Sequence, residues 1–250
     1  AVHASPGSSE VAATGLGSSD SAHARPPGPT VAITGASGAL GQALLRRWHA
    51  RGARLIALSH GDRPLEMRDD VGRPIPLRQQ RWQVGEEESL RELLAEVDVL
   101  VLNHGVNVHG QRSAAAVRLS LEVNALSTWR LLELFATVVA DREADRRNAT
   151  HGAMAVDGVT QDGPAAARPR AEVWVNTSEA EFLPSLSPLY EISKRLIGQL
   201  LSLRGPLLNR QLRLRRLVLG PFRSELNPIG LMGADFVAAA VLRQADWGWD

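Results

Sequence analysis

Short unbroken apolar runs alternate along this chain with longer stretches in which apolar residues recur every three or four positions. The runs lie within 30–34, 54–58, 98–102 and 172–176, with an arginine-interrupted one at 212–219 and a weaker candidate at 81–84. A continuous apolar run of this length reads as a strand buried on both faces, the pattern of a parallel sheet. The helical stretches fall between the runs, at 42–51, 86–97, 118–139, 189–204 and 234–244. Leu44, Leu45 and Trp48 share a face of the first. Leu90, Leu93 and Leu94 do so in the second, whose first turn is acidic, as the helix dipole favours. Ile192, Leu196, Ile197 and Leu200 mark the expected buried side of the fourth. Arg213 and Arg215 alternate in the last strand and predict one solvated edge. The alternation predicts an α/β fold, a Rossmann-like doubly wound parallel sheet of six or seven strands with helices on both faces. No strand signal follows the last helix.

Two stretches break the rhythm. Residues 1–29 are rich in Ala, Ser, Gly and Pro and hold few large apolar groups. Such a segment cannot bury enough surface to offset ordering entropy, so a disordered linker or tail is expected. Residues 140–171 are charged and then Gly/Ala/Pro-rich, and read as a flexible surface insertion in the domain that spans 30–250. A polar loop with three prolines separates the second strand from the third.

Composition narrows the function classes. At 250 residues and net charge +1 there is no electrostatic case for binding nucleic acid. The chain has no cysteine, which excludes disulfides, thiol catalysis and thiolate metal sites and fits a reducing compartment. The seven histidines are scattered and suggest no metal site. No apolar run is long enough to span a bilayer, and no signal peptide is evident. A cytoplasmic location follows as the expectation. The first residue is Ala1, as in a fragment or a processed form.

The chemistry concentrates in two places. Gly35, Gly38 and Gly41 lie between the first strand and the first helix. There they permit a tight turn and let backbone approach a pyrophosphate at the positive end of the helix. The second strand ends without the acid that would bind the ribose hydroxyls of NAD; Ser59, His60 and Arg63 follow instead, with Asp62 soon after. Ser37, Ser59 and Arg63 could receive a 2′-phosphate, which favours NADP(H) over NAD(H). The second place is Tyr190-x-x-x-Lys194, the only tyrosine and the only lysine of the chain. Four residues apart on a helix, they share a face. An ammonium beside a phenol favours the phenolate and makes a usable proton donor and acceptor.

Together these motifs resemble the short-chain dehydrogenase/reductase superfamily over residues 30 to about 245. The matches are Thr34-Gly-Ala-Ser-Gly-Ala-Leu-Gly41, Asn103-His-Gly105, Asn124, Ser178, Tyr190 with Lys194, and Gly220-Pro221, in the family's order. The resemblance implies cofactor binding by Gly35, Ser37, Gly38, Leu40, Gly41, Ser59, Arg63, Asn103, Gly105, Tyr190, Lys194, Gly220 and Pro221. It implies a catalytic set of Tyr190, Lys194, Ser178 and Asn124. Tyr190 would exchange the proton in a carbonyl–alcohol interconversion, Lys194 would assist it and hold the nicotinamide ribose, Ser178 would bind the carbonyl, and Asn124 would complete a proton relay. The glycine spacing is similar to that of the extended subtype, many of whose members are epimerases or dehydratases. The chain is short for that subtype's second domain. A third reading is a scaffold or sensor that binds NADP without turnover.

The segments at 174–181 and 219–230 look like a cyanobacterial group in which this kind of domain follows a desaturase/hydroxylase-like membrane domain. The chain would then be its soluble part, and a homo-oligomer is a further possibility. Two departures stand out: His104 replaces a small residue, and Thr177 competes with Ser178 as the substrate hydroxyl. The substrate is expected to be a small, apolar molecule, with Phe182, Leu183, Leu186, Phe222, Leu226, Leu231 and Met232 as pocket walls.

Overall fold

The computed structural model describes residues 28–156, 170–208, 212–228 and 230–247. Six strands form one sheet: β1 Thr30–Thr34, β2 Arg54–Ser59, β3 Arg78–Arg81, β4 Val99–Leu102, β5 Ala171–Ser178 and β6 Leu212–Leu219. Their order is β3-β2-β1-β4-β5-β6 and every pairing is parallel. The order reverses between β1 and β4, so the connections that leave these two strands diverge and open a crevice at the carboxyl edge.

Helices α1 Ala39–Ala50, α2 Arg91–Leu94, α3 Ala114–Leu121, α4 Ser127–Val156, α5 Pro188–Arg204 and α6 Ala234–Asp246 complete the fold. Alternate strand residues feed two apolar layers, as the period of two requires. Val31, Ile33, Val99, Val101, Trp174 and Leu217 meet Leu44, Leu45 and Trp48 of α1 and Val237 and Val241 of α6. Ala32, Ile56, Leu100 and Val173 meet Leu131, Leu132 and Phe135 of α4 and Ile197 and Leu201 of α5. Trp48 packs on Trp174 with ring centroids 5.4 Å apart.

Several elements differ from expectation. The third strand is Arg78–Arg81, ahead of the predicted 81–84. It pairs on one side only, with β2, so a polar Arg-Gln-Gln-Arg strand is tolerated at the sheet's margin. Trp82, which resembles a strand residue, instead folds into the core beyond the strand end and is 4% exposed. The predicted insertion at 140–171 is helical as far as Val156, where α4 ends. Its charges are a solvated helix face: Arg146 pairs with Glu143 at 2.9 Å, and Arg142 reaches the Val97 carbonyl at 2.9 Å. The rest of that segment, 157–169, and most of the predicted tail, 1–27, lie outside the described residues.

The predicted helix at 86–97 is a 3₁₀ turn, Glu87–Leu90, followed by the short α2. In α5, Ile192 is 52% exposed, not buried. The inner face is Leu189, Ser193, Lys194, Ile197, Gly198 and Leu201. Arg215 is not on a solvated edge. It is 3% exposed, its Nε is 2.8 Å from the Glu172 carboxylate, and its guanidinium lies 5.8 Å from the Trp174 ring. Among the described residues there is no seventh strand.

Candidate active site

The turn after β1 is built by its glycines. Gly35 has φ +61°, a left-handed conformation that costs a residue with a Cβ about 1 kcal/mol or more. A Cβ there would also lie 2.9 Å from the Asn103 carbonyl oxygen. A Cβ on Gly41 would lie 2.3 Å from the Gly35 oxygen, so only glycine lets α1 start this close to the turn. Gly38 is different. The nearest atom to a Cβ there is 3.4 Å away, and the residue borders the crevice. Thr34 Oγ accepts the backbone N–H of Asn103 at 2.8 Å, and Asn103 Oδ1 accepts from Asn176 Nδ2 at 2.8 Å. The ends of β1, β4 and β5 are thereby locked in register.

The crevice encloses about 780 Å³. Its wall includes Gly35, Ser37, Gly38, Leu40, Ser59, Asn103 and Gly105. Gly41 lies beneath the turn rather than on the wall. Arg63 is exposed and is not on the wall; the basic group at that corner is Arg81, held by Asp62 at 3.0 Å and by the His60 carbonyl at 3.4 Å. Sequence reasoning missed Trp82, Gln83 and Val84, which close the crevice past β3, and Leu119 and Val123, which close it from the α3 side. Their only advance signal was Trp82 and Val84, misread as strand.

His104 faces Trp82 edge-on with centroids 5.3 Å apart, and its Nδ1 is 2.9 Å from Thr34 Oγ. Burial, aided by the charge of Lys194, pushes the imidazole pKa down to about 4, so the ring is neutral at physiological pH.

The predicted catalytic residues lie beyond this wall, along the same edge of the sheet. Ser178 ends β5, and its Oγ accepts the Ala180 N–H at 3.2 Å. Thr177 Oγ is instead committed to the Leu217 carbonyl at 3.3 Å. Lys194 is 6% exposed; its Nζ lies 3.4 Å from the Asn176 carbonyl and 5.4 Å from the centroid of the Tyr190 ring. Both residues sit on α5, one turn apart as their spacing implies.

A π-helical turn, Glu122–Leu126, separates α3 from α4 and carries Asn124. The Asn124 side chain, 1% exposed, accepts the Val106 N–H at 2.7 Å and donates to the Val106 carbonyl at 2.9 Å and to Ser193 Oγ at 3.0 Å. Ser193 Oγ in turn donates to the Tyr190 carbonyl at 2.7 Å. This amide clamps the β4 loop to the Tyr190 helix. Glu87 anchors the π turn from outside. It accepts from Ser127 Oγ at 2.6 Å and from Arg130 Nε at 2.9 Å. Burial alone would raise its carboxyl pKa; the bonds from Arg130, the Gly85 N–H and Ser127 bring it down to about 2.

Gly220 and Pro221 are not on the wall but start a loop that folds back over the site. Arg223 N–H donates to the Met232 carbonyl at 2.8 Å, and Asn107 Nδ2 ties the Leu226 carbonyl to the β4 loop at 3.3 Å. Of the predicted apolar walls, Phe222 and Leu226 line the crevice, whereas Leu186 and Leu231 are 94% and 89% exposed.

The switch-point crevice, the glycine turn that a Cβ would fill and the helix N-terminus behind it define a Rossmann-type dinucleotide-binding domain. The chain can hold such a cofactor through Gly35, Ser37, Gly38, Asn103 and Gly105. Comparison with known proteins agrees. The profile of the NAD dependent epimerase/dehydratase family matches residues 31–148. Monoglucosyldiacylglycerol epimerase of Synechocystis sp. is 42% identical over 218 residues, which is 86% of this chain but 46% of that protein. The chain thus spans about half the length of this curated relative. Two solved structures share the fold. A short-chain dehydrogenase from Burkholderia cenocepacia in complex with NADP superposes at TM-score 0.67 with 18% identity, covering 88% of this chain and 84% of the other. One from Sphingobium yanoikuyae in complex with NADPH gives 0.63 and 18%, covering 88% and 85%. The fold is that of the short-chain dehydrogenases, and its first half carries the pattern of the NAD dependent epimerase/dehydratase family. No helix among the described residues is long and apolar enough to cross a membrane.

Proposed function

We propose that this domain interconverts an alcohol and a ketone on the sugar headgroup of a glycolipid, as the redox half of an epimerisation. The observation that carries the reading is the identity with monoglucosyldiacylglycerol epimerase across nearly the whole chain, joined to a Tyr190/Lys194 pair beside the crevice. NAD(P) held through Gly35, Ser37, Gly38, Asn103 and Gly105 would supply reversible hydride exchange with the carbinol carbon, so that the overall cycle would be redox-neutral. Tyr190 takes the hydroxyl proton as the ketone forms and gives it back on reduction. Lys194 steadies the tyrosinate by its charge. Ser178 hydrogen-bonds the oxygen on which charge develops. NADP(H) is the preferred cofactor on this reading. No acid of β2 reaches the wall, Ser59 and His60 do, and Asp62 is held by Arg81. A reducing cytoplasmic face suits both the cofactor and the cysteine-free chain. The relative's greater length supports an additional domain, in keeping with fusion to a membrane-bound desaturase/hydroxylase-like partner.

The test is to incubate the chain and its Tyr190→Phe variant with monoglucosyldiacylglycerol and NADP⁺ or NADPH. Headgroup stereochemistry is read by NMR and NADPH by fluorescence. An epimerase changes the sugar with no net change in cofactor, whereas a simple carbonyl reductase consumes NADPH mole for mole. Tyr190→Phe should bind NADPH like the wild type and turn over about 10²-fold or more slower. Equal turnover in both would remove Tyr190 from the mechanism. A Ser59→Asp variant should shift binding toward NADH.

A further inference from the structure

We propose that the loops leaving β5 and β6 seat this domain on a lipid surface, with the crevice mouth facing the bilayer; the proposal rests on the glycolipid reading above. β5 and β6 are adjacent and parallel, with Ser178 beside Leu219, so both loops emerge side by side at the carboxyl edge. That is the edge at which the crevice opens. Leu186 is 94% exposed, Leu231 89%, Phe236 65%, Phe182 62% and Leu183 55%. A scattered surface leucine is unremarkable, but five large apolar side chains on neighbouring segments at a site mouth mark a contact surface.

These side chains are held out by structure. Phe182 N–H donates to the Glu179 carbonyl at 2.9 Å, and Ser185 N–H to Glu191 Oε2 at 2.7 Å. In the second loop Leu231 N–H donates to the Pro221 carbonyl at 3.2 Å. No charged residue occurs from Phe182 to Leu189 or from Leu226 to Ala234, in a chain that is 22% charged. Ser224 and Glu225, by contrast, line the crevice, where a hydroxyl-rich headgroup would lie. Exposed Arg223 and Arg118 flank the mouth and complement anionic headgroups. A two-chain lipid stays in its aggregate, so an enzyme that works on its headgroup must meet that aggregate. Apolar side chains pressed into the acyl boundary, with arginines at the headgroups, are the means this surface offers.

The experiment is co-sedimentation of the chain with vesicles of phosphatidylcholine containing a minor share of phosphatidylglycerol. The rim variant is Leu186→Asp with Leu231→Asp. The control is Leu203→Asp with Leu207→Asp, at the carboxyl end of α5 and the turn after it, positions 70% and 73% exposed at the opposite edge of the sheet. Wild type and control should sediment alike, and the rim variant should bind about tenfold or more weakly. NADPH binding by all three verifies folding. Equal sedimentation of rim variant and wild type overturns the proposal, as does a wild type that stays in the supernatant. A wild-type dimer that the rim variant dissociates, without vesicle binding, reassigns the surface to a second copy. If the wild type sediments but leaves monoglucosyldiacylglycerol unchanged, the surface proposal stands and the substrate reading falls.

Discussion

The two glycines that flank the start of α1 should fail in opposite ways when replaced by alanine. At Gly41 the new Cβ would sit 2.3 Å from the Gly35 oxygen and 2.8 Å from the Ala36 Cα, both backbone atoms of a tight turn. Relief requires moving the Gly35 carbonyl by about 1 Å, in a well-packed site where overpacking costs about 1–3 kcal/mol. That carbonyl accepts from Gly38 N–H at 3.1 Å and Asn103 Nδ2 at 3.4 Å, and losing one such bond adds about 1 kcal/mol. A cost of about 2–4 kcal/mol lowers the melting temperature of a domain this size by about 5–15 °C. At Gly38 the nearest atom is 3.4 Å away, an ordinary contact. The residue is the N-cap of α1, so alanine there costs only about 0.5 kcal/mol through poorer capping. Its methyl group would instead occupy the crevice, and cofactor affinity should fall at least about tenfold, or 1.4 kcal/mol. Thermal melts and nicotinamide fluorescence titrations separate the two effects. The cradle assignment is refuted if Gly41→Ala melts with the wild type or Gly38→Ala binds cofactor as the wild type does.

Three further outcomes follow from buried polar groups. Glu87 has a folded pKa of about 2, below its ordinary 4.5, so its stabilisation is present above pH 4.5 and is lost as pH falls toward 2. Glu87→Gln should lower stability at neutral pH by about 2–3 kcal/mol and flatten the acid limb of a urea-midpoint profile; an unchanged limb would show that the carboxylate is not what titrates. His104 stays neutral in the fold down to about pH 4 while an unfolded histidine protonates near 6.5. Stability should therefore drop between pH 6.5 and 4 by up to about 1.4 kcal/mol per unit, and His104→Gln should shrink that drop. Asn124→Ala leaves the Val106 N–H and carbonyl without their partner, at a cost of about 2–4 kcal/mol, and should lower kcat by loosening the Tyr190 helix. Retention of wild-type kcat would mean that the clamp is structural alone.

What was legible in the chain was whatever local spacing sets. The apolar stretches at the centres of β1, β2, β4 and β5 named these strands because a strand covered on both faces has little room for polar side chains. The glycine turn and the Tyr190–Lys194 pair were readable because both are geometry within a few residues. What escaped notice depends on distant partners. Arg215 reads as a surface residue until Glu172 on the neighbouring strand is seen to hold it. β3 is polar because it has one neighbour, a fact of strand order rather than of its own sequence. Nothing in Glu122–Leu126 announces a π turn, since its support is Glu87, 40 residues away from Ser127. The charged end of α4 has the composition of a loop and the ion-pair spacing of a helix, and composition was the poorer guide.

The same division bears on the proposed epimerisation. Epimerisation through a ketone demands that the headgroup turn over between oxidation and reduction, so it cannot be gripped at every hydroxyl. Something else must keep the substrate from leaving while it turns. A second domain that clasps the far end of the substrate is one solution. On the glycolipid reading this chain has another: the acyl chains stay in the bilayer against Leu186 and Leu231 while the headgroup moves in the crevice. The cover over that crevice suits this role. The loop that leaves β6 is joined to the β4 loop by the Asn107–Leu226 hydrogen bond, and Leu226 shares the crevice wall with Gly105. The parts that must hold still are tied differently. Asn124, Ser193 and Lys194 are each 6% exposed or less, and their bonds reach the backbone of the β4 loop, α5 and β5. On the proposed mechanism these ties fix the groups beneath Tyr190, while the headgroup would turn in the crevice above them.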